Sequence, residues 1–256
     1  MPATTPRKFK FIGCEIAYRE ACYLAAVGPH MVDVEFLRKG LHDLETLDMV
    51  SKVQETIDAV DPASGYEAIM LGYARCNDGL VGVQAGAVPL VIPKAHDCIS
   101  FFFGSRSAYQ EYFNQNPGTY YLTTGWSERN DNDGNPATPA YGKQGVMAKL
   151  GLAEPYEEMV KKYGRENADY IAESMGGWES HYTHLLYLEM GTMDESSLID
   201  RARQRAKDNG WAFEKRKGSW SLLEKLFLVQ WDDDFVIVEP GQRIIARDDG
   251  EVLGAV

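Results

Sequence analysis

The sequence predicts an α/β fold: a mainly parallel sheet of five or more strands, covered by helices on both faces in a Rossmann-like three-layer architecture. Three observations carry this. Ala68-Ile69-Met70-Leu71 and Pro89-Leu90-Val91-Ile92-Pro93 are short unbroken apolar runs, as expected of strands buried on both faces. Such runs alternate with stretches of helical periodicity, the pattern of parallel sheets with crossover helices. The intervening segments are long enough for right-handed crossovers.

Taken in order, residues 1–8 read as a frayed tail and Lys8 to Ile16 as an apolar strand. Arg19 to Val27 is a short helix. Val32 to Phe36 alternates, which marks a strand. Asp48 to Val60 sets Met49, Val53, Ile57 and Val60 on one helical face, and Asp61-Pro62-Ala63-Ser64-Gly65 breaks the chain. After the run at 68–71 comes Gly72 to Gly79, then a helical stretch from Leu80. The strand at 89–93 is followed by Lys94-Ala95-His96-Asp97-Cys98 and a helix through Phe103. Ser105 caps a helix to Asn114. Thr119 to Thr123 is a strand, and residues 127–142 are polar and rich in Gly, Asn and Pro. Helices are expected near 143–150, 154–163 and 165–175. A strand follows at His184 to Met190, then a helix from Ser196 to Asn209 closed by Gly210. Trp211 to Lys215, Trp220 to Leu226 and Asp234 to Val238 read as strand, helix and strand. The chain reads as one α/β domain over residues 1–256, or as two lobes about a hinge or long loop near 127–142.

Composition narrows the function. A formal net charge of −12 over 256 residues argues against broad nucleic-acid binding, because an acidic surface repels phosphate backbones. No apolar run approaches the roughly 18 residues that span a bilayer. The start, MPATTPRKFKFIGC, lacks a signal-peptide apolar region. A cytoplasmic protein is expected. Four cysteines in a chain of this length are not a disulfide framework. They are buried apolar residues, metal ligands or nucleophiles.

Cys14, Cys76, His96 and Cys98 all lie at or just after predicted strand ends, where ligands bind in open α/β sheets. Thiolate and imidazole are ligands that zinc and iron take, so these four form a candidate metal set. A lone cysteine at a strand end is more often core than ligand; three at three strand ends, one paired with His96, balance the two readings, and there is no Cys-x-x-Cys pair. Cys22 reads as core. His42, on a loop before a helix, is a further ligand, an acid/base, or a histidine bonded to backbone. Asp97, between His96 and Cys98, is a candidate to orient the imidazole or to share in catalysis with Cys76. Gly72, Tyr73, Arg75 and Gly79 lie on a strand-to-helix turn whose N–H groups suit an anion, and Arg75 beside Cys76 would favour a thiolate. Tyr120, Tyr121, Trp126, Trp178, Tyr182 and Tyr187 either wall a ligand pocket or fill the core. Asp232-Asp233-Asp234 reads as a cation site or, more simply, a solvated turn.

Several stretches occur in order along nearly the whole chain. They are Cys14-Glu15 with Arg19-Glu20, Gly40-Leu41-His42, Leu71 to Gly79, PLVIPKAHDCI at 89–99, PGTYYLTTGW at 117–126, MGGW at 175–178 and WDDDFVIVEPGQRI at 231–244. Together they resemble a family of uncharacterised bacterial and archaeal proteins known only as a domain of unknown function. Its usual LGYGLCxNG pattern keeps Cys76 here, whereas Ala74, Arg75 and Asp78 replace the usual Gly, Leu and Asn. Contacts made through those positions do not carry over. Members are often encoded near corrinoid-dependent methyltransferases. The resemblance therefore implies one-carbon metabolism, with corrinoid contact and a corrinoid protein or methyltransferase as partner. The expected function is a zinc- or iron-dependent transfer of a methyl or thiol group. The alternatives are a non-catalytic module that binds and delivers a small molecule, corrinoid or metal, and thiol chemistry with Cys76 as nucleophile.

Overall fold

The computed structural model describes residues 5–39, 41, 46–76, 78–129, 160–161, 164–165, 167 and 182–256. Strand β1 (Lys8–Cys14) is an interior strand of a five-stranded sheet. It pairs in parallel with β2 (Met31–Leu37) on one side and β3 (Ala68–Gly72) on the other. Strand β4 (Leu90–Pro93) adds in parallel to β3. Every residue of β3 and β4 is buried, which is why both read as unbroken apolar runs. Helix α1 (Tyr18–Val27) connects β1 to β2, and α2 (Thr46–Asp58) precedes β3 with Met49, Val53 and Ile57 inward, as the periodicity predicts.

The chain then runs through α3 (Ile99–Phe103), α4 (Arg106–Gln115), β5 (Thr119–Leu122) and α5 (Thr124–Glu128). It continues through β6 (His184–Glu189), α6 (Ser196–Asp208), β7 (Ala212–Lys217) and α7 (Ser221–Phe227) to β8 (Phe235–Val238), and ends in β9 (Ile244–Ala246) and β10 (Leu253–Ala255). Ser105 caps α4 by accepting from the Ala108 N–H at 3.1 Å.

The mainly parallel α/β class is borne out, but the strands divide. β8 pairs antiparallel with β4, Leu90 opposite Val238, and takes that edge. β5, β6 and β7 form a second sheet, parallel throughout. The two sheets share a core, because alternate residues of β6 face opposite ways. Leu186 and Leu188 join the apolar cluster of the five-stranded sheet, whereas Leu185 and Tyr187 pack with α6.

Three sequence readings need correction or fall away. No helix starts at Leu80: the Gly82 N–H donates to the Ile244 carbonyl, the Ile244 N–H to that of Val83, and Gly82 holds a φ of 100°. These cross-chain bonds and the glycine outweigh the helical pattern. The antiparallel pair β9–β10 went unforeseen because strands of three residues carry almost no periodicity. Residues 130–142 of the expected loop, the helix near 143–150 and nearly all of the next two lie outside the described residues.

Two features mark the junction of the sheets. Gly125, at the start of α5, lies against the backbone of Ile16; a Cβ there would stand 1.7 Å from the Ile16 carbonyl oxygen. On the facing side, Glu20 of α1 is 0% exposed, with neither carboxyl oxygen hydrogen-bonded. Glu195 lies close by, accepting from the Tyr187 hydroxyl at 2.9 Å and the Met190 N–H at 3.1 Å. Burial raises the Glu20 pKa from 4.5 to about 7, and Glu195 adds to the effect.

Gly125→Ala is expected to cost about 1–3 kcal/mol or more, because backbone rather than a mobile side chain meets the new methyl group. Denaturant unfolding measures it, and an unchanged midpoint contradicts the contact. For Glu20 the folded-state pKa lies above the unfolded one. Its stabilising share is therefore full below pH 4.5 and is lost as pH rises toward about 7, a change on the order of 3 kcal/mol. Glu20→Gln should remove that slope, leaving the variant more stable than wild type at pH 8. Parallel stability–pH curves for the two proteins would exclude a buried carboxyl that resists ionisation.

Candidate functional site

Parallel pairing puts the carboxyl ends of β1, β3 and β4 on one edge. The chain leaves β1 for β2 on one side and later for β3 on the other, so the crevice between β1 and β3 is where strand order reverses. Ligands favour such a crevice. Cys14 is the last residue of β1, and a tight turn at Glu15–Ala17 follows directly. Glu15 is thus outside the strand, and its carboxylate accepts from the Lys39 backbone N–H at 3.1 Å.

The loops after β3 and β4 are held to each other. The Arg75 N–H donates to the Ala95 carbonyl at 2.9 Å, and the Cys76 N–H to that of His96 at 3.1 Å. Cys76 has a φ of 46° and Asp78 one of 66°. Side chains seldom adopt this left-handed backbone, and such strain gathers at functional sites. Cys98 sits at the start of α3.

These loops bound a cavity of about 210 Å³. Cys14, Cys76, His96, Asp97 and Cys98 line it, as do Tyr73 and Trp126. The site residues read from strand ends therefore do converge. The Cys76 and Cys98 sulfurs are 3.4 Å apart. Cys14 and Cys98 are buried, whereas His96 is exposed to solvent. Burial pushes the Cys14 thiol up to about 12. The contact with Cys76, then burial, raises that of Cys98. Both are neutral thiols at pH 7. Among the described residues, no three His, Cys, Asp or Glu side chains are already gathered closely enough to hold a metal ion.

Other expected residues have contacts of their own. The Phe11 ring occupies the space beside Gly72, and the Met49 side chain that beside Gly79, so both glycines admit neighbours rather than face the cavity. Arg75 pairs with Asp78, and its charge is compensated there. Asp97 accepts from the Ile99 N–H at 2.8 Å and is hydrogen-bonded to Tyr109, which fixes the turn into α3. Asp232 and Asp234 hold Lys225 at 2.7 and 2.6 Å. Tyr121 meets the Tyr109 and Tyr112 rings edge-on, and Tyr187 is core. Cys22 is half-buried on α1 and outside the cavity lining. His42 and Trp178 lie outside the described residues.

The sequence reading missed Lys39, Leu41 and Met49, which also line the cavity. Leu41 and Met49 look like ordinary core residues, and nothing in the local pattern marks Lys39. Among the described residues, no helix is long and apolar enough to cross a membrane.

No curated protein and no solved structure matches the chain. A family model does match, over residues 36–227, a span that holds Cys76, His96, Cys98 and Trp126. The chain belongs to that family, DUF1638, proteins of unknown function.

Proposed function

We propose that the cavity is a thiolate site for one zinc or ferrous ion, serving the transfer of a methyl or thiol group. The 3.4 Å separation of the Cys76 and Cys98 sulfurs carries this reading. Metal–sulfur bonds of ~2.3 Å at a tetrahedral centre set two thiolates ~3.8 Å apart, so the pair needs little movement to share an ion. Cys14 and His96 line the same cavity and supply further donors by turning inward. A bound ion holds thiols deprotonated at neutral pH, which offsets the burial that raises the Cys14 and Cys98 thiols. Tyr73, Met49 and Trp126 would exclude water from a substrate's reacting end. The strand order β2-β1-β3-β4 supports a Rossmann-like, three-layer reading of this part of the chain. Corrinoid chemistry and a corrinoid or methyltransferase partner belong to the same proposal through the family resemblance.

The second reading is a redox dithiol. Here the Cys76 and Cys98 thiols reduce a disulfide substrate: they give up two protons and two electrons, close a disulfide, and the substrate leaves as two thiols. The same sulfur contact favours it, and it needs no third donor.

Protein purified without oxygen should carry about one equivalent of zinc or iron, or take it up when either ion is added. Cys98→Ser should lose most of it and keep its fold, while Cys22→Ser should match wild type. Elemental analysis with circular dichroism reads both. Metal-free wild type that ignores added zinc and ferrous iron rejects the metal site. In that case, a Cys76–Cys98 disulfide found by mass spectrometry after mild oxidation identifies the dithiol.

A further inference from the structure

A second cavity, of about 170 Å³, adjoins the first and shares Lys39 and Trp126 with it. We infer that it binds the anionic arm, phosphate or carboxylate, of a small organic ligand. Helix α6 presents Leu198, Arg201, Ala202 and Arg205 to it, the spacing of a single helical face. Lys39 enters from the segment after β2. Three cations thus meet in one recess of a chain whose net charge is −12, and no described residue lining it is a carboxylate. Such an arrangement runs against the chain's overall balance, and it focuses positive potential in a cleft.

The other walls suit an organic ligand rather than a bare ion. Tyr120 and Trp126 offer aromatic faces, Leu122 and Leu198 apolar surface, and Ser127 a hydroxyl. Arg205 lies over the Tyr120 ring, 4.4 Å from its centre, which orients the guanidinium. Guanidinium groups bind phosphate and carboxylate through paired hydrogen bonds. The recess lies at the carboxyl end of β5, the same kind of edge that holds the thiols. Lys39 and Trp126 belong to both cavities, so the anion recess and the thiol cavity are neighbours. The anion site itself stands on residues outside the thiol set and holds whether or not a metal binds.

Calorimetric titration of the full chain at fixed ionic strength tests it, with inorganic phosphate, pyrophosphate and succinate as probes. At least one probe should bind saturably at one site, and the order of affinity separates phosphate from carboxylate as the preferred group. Arg201→Gln changes an exposed residue and should weaken binding roughly tenfold, the worth of one charged hydrogen bond. Arg203→Gln, on the same helix but outside the lining, should leave it unchanged, as should Cys98→Ser. Absence of saturable binding by all three probes overturns the proposal. So does equal weakening by Arg201→Gln and Arg203→Gln, which would mean diffuse surface attraction. Loss of binding in Cys98→Ser would also overturn it, by tying the anion to the thiols.

Discussion

Because β1, β3 and β4 run parallel, their carboxyl ends leave the sheet along one edge, and Cys14, Cys76 and Cys98 leave with them. An antiparallel pairing of any two of these strands would send their following loops to opposite edges. The site then depends on how the loops are held after the strands stop. Two backbone bonds join the β3 and β4 loops, and they keep Cys76 in a left-handed conformation beside Cys98. Asp97, read from sequence as a partner of His96, also fixes the turn that presents Cys98.

A further wall comes from the helix that follows β5 of the second sheet. Helix α5 approaches the turn after β1 so closely that only glycine fits at position 125, and the next residue, Trp126, reaches both cavities. Arg19 and Glu128 reinforce the approach with an ion pair at 2.7 Å. Across the same junction Glu20 is buried without a hydrogen-bond partner, beside a fully bonded Glu195. An unpartnered buried carboxyl is costly. The junction therefore couples a tight steric fit to an electrostatic cost that varies with pH.

The electrostatics of the two cavities differ. The thiol cavity is lined mainly by apolar side chains and thiols and shares Lys39 with its neighbour, which adds Arg201 and Arg205. In sequence, Arg201 and Arg205 look like the solvated face of an amphipathic helix, the usual place for such charges. Their meeting with Tyr120 and Lys39 joins residues from three distant segments, and no local pattern records it.

Much of this protein follows from the sequence by itself. Unbroken apolar runs determine β3 and β4, periodicity determines α2, and a thiol at or after each of three strand ends points to one edge of the sheet. These are local signals, set by which side chains must leave water. The tertiary structure decided the rest. It placed β8 against β4 and gathered β5, β6 and β7 into a sheet of their own, it drew residues 80–85 into bonds with β9 instead of a helix, and it set the Cys76 and Cys98 sulfurs in contact. Backbone groups of 80–85 find partners about 160 residues away. Local propensity, worth a fraction of a kcal/mol per residue, yields to satisfied hydrogen bonds and shared burial at that range.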